Sequence, residues 1–212
     1  MHVRCRPFPM EKWERRETYR TFLSYDLPYL VIGANISIGS AFDRLKAASR
    51  SPFLGTVYAV CRAANEVQAF RLRIRDKVVV EHDAVHPSFT VPGGEEAFAV
   101  RKVGYDVNFN QFYQAAAAAE SETFAPEIDQ MGSDHWIFAS CMPWIQFTHV
   151  LQPVSPVTAS IPRLIWGKAF EDHGRWLLPM SVQVHHALMD GIHVARFLER
   201  MEELFASSET FA

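Results

Sequence analysis

The stretch Ser181-Val-Gln-Val-His-His-Ala-Leu-Met-Asp-Gly-Ile-His193 decides how the rest of the chain is read. With a period of two, Val182, Val184 and His186 share one face while Gln183 and His185 face the other way, the pattern of a strand. Asp190-Gly191 is a turn and helix-start signal. Beyond it, Gly191–Phe205 carries Ile192, Ala195, Leu198, Met201, Leu204 and Phe205 at helical spacing, which predicts a closing helix with one apolar face. An apolar strand therefore ends in two histidines just before a turn. That mounting can hold an imidazole rigidly at the rim of a core.

Outward from this stretch the chain alternates between the two periods. Met10–Leu23 reads as an opening helix and Leu30–Ile38 as a buried strand. Ser40 is placed to cap a helix through Phe42, Leu45 and Ala48, which Pro52 ends. Phe53–Glu66 and residues 107–121, around the alanine run Ala115–Ala119, are further helices. Phe70, Leu72 and Ile74 alternate with Arg71, Arg73 and Arg75, predicting a half-exposed strand that turns at Asp76-Lys77 into Val78–Glu81. More strands are predicted at Ser88–Val91, Phe98–Lys102, Ile137–Met142, Phe147–Leu151, Arg163–Phe170, Arg175–Leu178 and Ser181–His185. The expected fold is α+β, a mixed, mostly antiparallel sheet with helices packed on it, and residues 1–212 form one domain.

Composition narrows the function classes. The 212 residues are 49% hydrophobic and 21% charged, with a net charge of -3, so the chain can build a sizeable core and lacks the basic excess of a nucleic-acid binder. No run of 18 apolar residues marks a membrane span, and the charged N-terminal stretch has no apolar core of a secretory signal, so a cytoplasmic location is expected. Cys5, Cys61 and Cys141 are far apart and odd in number, which fits neither a disulfide framework nor a thiolate zinc site. Cys61 or Cys141 could serve as a nucleophile, although a buried thiol more often only packs.

The residues alone leave three readings of the histidine stretch open. His185 and His186 can be hydrogen-bonded core or rim histidines. His186, Asp190 and His193 have the i, i+4, i+7 spacing of metal ligands, although Gly191 and the strand before it argue against one continuous helix. His186 can also be a general base, with Asp190 supporting its loop.

His-His-Ala-Leu-Met-Asp-Gly resembles the HHxxxDG signature of the coenzyme-A-dependent acyltransferases. Its flanks, Leu-Leu-Pro-Met-Ser-Val-Gln-Val before and Asp-Gly-Ile-His-Val-Ala-Arg-Phe after, resemble the C-terminal core of the trimeric chloramphenicol acetyltransferases. Trp13-Glu-Arg-Arg-Glu17, Phe70–Asp76, His86-Pro-Ser-Phe-Thr-Val91 and Ala139-Ser-Cys-Met-Pro-Trp-Ile-Gln-Phe147 are similar to the family's opening and middle. The resemblance implies a two-layer sandwich and a homotrimer with active sites at subunit interfaces. It further implies acetyl-CoA as acetyl donor, no metal, and direct transfer to a small-molecule hydroxyl such as the 3-hydroxyl of chloramphenicol.

Residue by residue, it implies His186 as general base and Ser140 as the hydroxyl that stabilises the oxyanion. Asp190 would be a buried carboxylate paired with Arg15, pinning the loop to the first helix. Phe22, Phe138, Val150 and Ile165 would line the acceptor pocket. The chain departs from the family at four places. Phe138 stands where Asn is usual, Ile165 where a threonine holds water near the serine, Ala169 where an aromatic follows Ala-Lys, and Gln152 where the pocket is apolar. These departures leave two alternatives: acetyl transfer to another small alcohol, or a binding protein on the same scaffold with catalysis lost.

Overall fold

The computed structural model describes residues 4–123 and 134–212. Its spine is one long strand. β11 (Arg175–His185) pairs antiparallel with β2 (Tyr29–Ser37) along one side. On the other it pairs with β9 (Arg163–Gly167) and then with β10 (Phe170–Asp172). The two predicted strands Arg175–Leu178 and Ser181–His185 are thus one. Pro179 falls between the segment paired with β10 and the segment paired with β9, a break in the ladder that tolerates a missing N–H.

Beyond β9 the sheet continues through β8 (Trp136–Met142) and β5 (His86–Pro92), both pairings parallel. It ends through β6 (Phe98–Lys102) and β7 (Glu122–Thr123), both antiparallel. The sheet is mixed and mostly antiparallel, as expected. A second, three-stranded sheet is made by β1 (Cys5–Pro7), β4 (Val78–His82) and β3 (Leu72–Arg75), in the order β1-β4-β3. Its β3–β4 hairpin turns on Asp76 and Lys77, both at positive φ, which is the two-residue turn that matches strand twist.

Helices cover one face of the large sheet. α3 (Pro52–Glu66) is central, apolar nearly all round, and starts on Ser51, whose Oγ accepts the Leu54 N–H. α4 (Phe109–Ala118), capped by Asn108, and α5 (Gly191–Ala206) flank it. The core combines Met180, Val182 and Val184 of β11, Leu164 and Trp166 of β9, and Ala139 of β8 with Val57, Ala64, Phe112, Phe197 and Met201 from the helices. Among the described residues no helix is long and apolar enough to cross a membrane.

Several local expectations change. The opening helix is a single 3₁₀ turn, Met10–Lys12, followed by α1 (Arg16–Leu23). Between them Trp13 packs edge-on against Phe8, with ring centroids 5.3 Å apart, and the turn frees Arg15 to reach the far end of β11. Ser40 precedes α2 (Ala41–Ala47) but makes no cap bond; its Oγ accepts from Arg44 instead. Pro52 opens α3 and does not close α2, a position where the missing N–H costs nothing. Arg73, expected on an exposed face, is fully buried. It donates to the carbonyls of Phe70, Leu72, Asp134 and Trp136, and burial pulls its pKa down to about 10. On α5 the buried face is Val194, Phe197, Met201, Leu204 and Phe205, leaving Ile192 exposed.

The largest change concerns Phe147–Leu151, which is no strand of the sheet. It lies flat on the face of the sheet opposite the helices. Side chains from β11 there replace a backbone ladder. Ser181 Oγ accepts the Val150 N–H and donates to the Val150 carbonyl, while the Gln183 amide does the same for Gln152. The approach is close enough that a Cβ on Gly33 would sit 1.5 Å from the Thr148 carbonyl oxygen. Gly33 is therefore required by space and not by backbone angle.

Candidate active site

Residues 186–190 hang off the end of β11, and their apolar members hold them there. Ala187, Leu188 and Met189 are all fully buried, plugging the loop into the core. Burying side chains such as Leu188 and Met189 stabilises the loop by about 1.5–3 kcal/mol each. The His186 N–H donates to the Pro28 carbonyl at 2.7 Å, and the Leu188 N–H donates to the His185 carbonyl at 2.9 Å. His186 and Asp190, at the loop's two ends, are left at the rim, each half-buried.

The two histidines have opposite environments. His186 Nδ1 lies 2.9 Å from the Met189 carbonyl oxygen, which can only accept, so Nδ1 carries the proton and Nε2 offers its lone pair. Phe22 of α1 lies over the imidazole with ring centroids 3.9 Å apart, fixing its plane. His185 is buried, and its Nδ1 accepts the Ala187 N–H. Burial, reinforced by the neighbouring His186, pushes the His185 pKa down to about 4. Of the two, His186 is the one whose Nε2 is left unengaged at the rim.

Asp190 is the N-cap of α5. Its carboxylate accepts the Gly191 N–H at 2.6 Å, and a capping box closes around it, with His193 Nδ1 accepting the Asp190 N–H at 3.0 Å. Arg15 Nη1 reaches Asp190 Oδ2 at 3.2 Å, and Arg15 Nη2 donates to the His186 carbonyl at 2.9 Å. The Gly191 N–H, aided by Arg15, holds the Asp190 carboxyl below the usual carboxylate range. The Arg15–Asp190 pair that the resemblance implies is present, but the carboxylate is not buried: its side chain is 51% exposed against 15% for Arg15. A helix cap must face the open first turn, which keeps the carboxylate at the surface. His186 Nδ1 is held by the Met189 carbonyl and His193 Nδ1 by the Asp190 N–H, so the i, i+4, i+7 residues are fixed by the loop and the helix cap. Among the described residues no three His, Cys, Asp or Glu side chains gather as a metal site.

The predicted oxyanion group lies elsewhere in the sheet. Ser140 of β8 is level with Ile165 of β9, which is level with Ser181 of β11. All three project from the face away from the helices. From that row His186 is two strands and five residues away, roughly 20 Å at normal strand spacing and rise. Within one chain His186 and Ser140 are therefore not brought together. Phe22 belongs with His186. Phe138, Ile165 and Val150 belong with Ser140: Phe138 is two residues along β8, and Val150 is in the overlying segment clamped by Ser181.

Sequence reasoning missed two members of this face. Thr90 of β5 has its Oγ1 2.7 Å from Ser140 Oγ. Arg163, 5% exposed, stands over the Phe138 ring at 5.3 Å and donates to Thr158 and to the Ile161 carbonyl. Thr90 stands inside a quoted motif, but only strand register shows what it touches.

A cleft of about 320 Å³ opens at the end of β9, lined by Phe53, Cys141, Trp166, Trp176 and Ala169, with Lys46 and Lys168 beside them. Cys141 lines it as a half-buried thiol whose pKa burial pushes up to about 11, and Cys61 is fully buried, which also raises its pKa well above the usual thiol value. Neither thiol has the lowered pKa of a nucleophile.

The fold superposes on that of dihydrolipoamide acetyltransferase of Azotobacter vinelandii with a TM-score of 0.60 at 20% identity, covering 91% of this chain and 86% of that one. A solved chloramphenicol acetyltransferase superposes far better, with a TM-score of 0.87 at 31% identity over 96% of this chain and 100% of that chain. The family description "Chloramphenicol acetyltransferase" matches residues 6–202. Chloramphenicol acetyltransferase of Clostridium perfringens is 30% identical over 210 residues, 95% of each chain, and chloramphenicol acetyltransferase 3 of Escherichia coli is 29% identical over 210 residues, 93% of this chain and 95% of that one. The chain belongs to the chloramphenicol acetyltransferase family.

Proposed function

We propose that this protein acetylates a hydroxyl of a small molecule from acetyl-CoA, with the 3-hydroxyl of chloramphenicol as acceptor. The observation that carries the reading is the mounting of His186, with Nδ1 held on the Met189 carbonyl, the ring pinned under Phe22, and Nε2 open. Acetyl-CoA, a substrate, supplies a thioester carbonyl. His186 Nε2 takes the acceptor's hydroxyl proton as its oxygen attacks that carbonyl. Ser140 donates its O–H to the oxygen that becomes negative. As the C–S bond breaks, the imidazolium returns its proton to the departing thiolate, so the reaction needs no covalent enzyme intermediate.

The separation of His186 from Ser140 within one chain supports an assembly in which one subunit's base meets its neighbour's serine. The reading is a homotrimer of single-domain chains, residues 1–212, with three interfacial sites, working in the cytoplasm. Phe22 walls the pocket from the base side, and Phe138, Val150 and Ile165 wall it from the serine side. We assign the coenzyme to the cleft at Ala169. Apolar walls there suit the pantetheine arm, and Lys46 and Lys168 suit its phosphates.

The test is release of free thiol from acetyl-CoA in the presence of chloramphenicol. Wild-type protein should turn over, and His186→Ala should lose roughly 10²–10⁴ in rate with the fold intact. A His186→Ala variant that keeps a tenth of the rate overturns the assignment of the base. Brisk acetylation of another alcohol with no chloramphenicol turnover overturns the acceptor.

A further inference from the structure

We propose that Thr90 is the positioning residue for Ser140, donating its hydroxyl proton to Ser140 Oγ so that the serine's own O–H is free to point at the developing oxyanion. The inference rests on the reading of Ser140 given above. It goes beyond that reading by naming what aims the serine in this chain.

The warrant is a row of side chains across the sheet. Phe89 is paired with Ala139, so the next residues along these parallel strands, Thr90 and Ser140, stand side by side. On the other flank Ser140 is level with Ile165, and Ile165 with Ser181. Ile165 offers no polar atom and is 2% exposed, a dry wall on that side. Ser181 is the next hydroxyl in the row, but it is committed to the Val150 backbone, accepting from its N–H and donating to its carbonyl. The hydroxyl neighbour left to Ser140 in this row is Thr90, at 2.7 Å, a normal O–H···O distance.

A hydroxyl has one proton to give and two lone pairs. If Ser140 gave its proton to Thr90, it would have none for the oxyanion. Catalysis through Ser140 therefore needs the bond to run from Thr90 to Ser140. Negative charge developing ahead of Ser140 favours that direction, because a hydroxyl that donates forward becomes a better acceptor from behind. Thr90 is β-branched and held in β5, so its own rotamer is stiff. It thereby fixes where the Ser140 oxygen sits.

Four proteins assayed with acetyl-CoA and chloramphenicol test this: wild type, Thr90→Val, Thr90→Ser and Ser140→Ala, with the Thr90→Val/Ser140→Ala double variant closing the cycle. Thr90→Val keeps the shape and removes the hydroxyl. It should lower kcat about tenfold, less than the roughly 10²–10³ expected for loss of the oxyanion donor itself. KM for both substrates should stay within about twofold, because the bond matters only once charge develops. Thr90→Ser should restore most of kcat. The double variant should be no slower than Ser140→Ala alone, since Thr90 acts only through the serine. A Thr90→Val kcat within twofold of wild type, or a loss that adds fully to that of Ser140→Ala, overturns the role of Thr90 while leaving Ser140 in place. A Ser140→Ala variant with wild-type kcat, or no wild-type turnover of chloramphenicol, overturns the underlying reading and the inference with it.

Discussion

Replacing Asp190 separates two jobs that the structure gives one side chain. Its carboxylate caps α5 through the Gly191 N–H, and it pairs with Arg15 at 3.2 Å. Asparagine caps a helix about as well as aspartate, so Asp190→Asn keeps the cap and loses only the charge. The pair is half in solvent on the carboxylate side, 51% exposed, so its loss should cost no more than about 1 kcal/mol. Asp190→Ala loses the cap as well, roughly another 1 kcal/mol, for a total near 2 kcal/mol. For a chain of this size each kcal/mol shifts Tm by about 2–4 °C.

Urea unfolding at pH 7 and fixed protein concentration should therefore rank wild type, Asp190→Asn and Asp190→Ala in evenly spaced, modest steps. Added salt should shrink the first step more than the second. The folded Asp190 carboxyl lies below its usual range, so its charge contributes stability above the unfolded value near 3.9 and loses it as pH falls through the folded value. The gap between wild type and Asp190→Asn should accordingly close in acid. A loss of about 3–5 kcal/mol in Asp190→Asn is the signature of a stranded buried charge. That result would refute the cap-centred account and show that the assembled protein buries the carboxylate.

Other consequences are as sharp. His185 and His86 are buried with pKa values pushed down to about 4, each chiefly by burial, so the unfolded chain takes protons below about pH 6.5 that the folded chain refuses. Stability should be flat in these groups above pH 6.5 and fall between 6.5 and about 4, and His185→Phe should remove up to about 3 kcal/mol of that slope in pH-dependent urea titrations. Gly33→Ala drives a Cβ into the Thr148 carbonyl and should lift the 147–152 segment off β11, costing about 3 kcal/mol in chemical denaturation; a neutral result would show that the segment is not seated on Gly33. Ile165→Thr places a second hydroxyl beside Ser140 and should raise kcat/KM for chloramphenicol by up to about tenfold; a fall would mean that the dry wall at Ile165 serves this chain's pocket.

The sequence by itself determined whatever depends on neighbours along the chain. Periodicity placed the Ser181–His185 half of β11 and the histidines at its end, because an alternating apolar run before Asp190-Gly191 reads as strand and turn. The Asp76-Lys77 hairpin, the alanine-run helix α4 and the existence of α3 and α5 were legible for the same reason. The candidate site residues His186, Ser140, Asp190 and Arg15 came from resemblance and not from periodicity. What periodicity could not say is which way a charged or polar residue points when the backbone around it offers partners. Arg73 is buried against alternation because four carbonyls replace its water. Phe147–Leu151 looks like a strand and is not one, because Ser181 and Gln183, more than thirty residues away, take the backbone bonds of Val150 and of the adjoining Gln152 with side chains. Only the tertiary structure decided that His186 presents Nε2, since its tautomer is set by the Met189 carbonyl once the loop has folded back. Only register across parallel strands put Thr90 against Ser140, and that same register separates Ser140 from His186 within one chain. Local preference is written residue by residue, whereas register and burial are properties of the whole packed sheet.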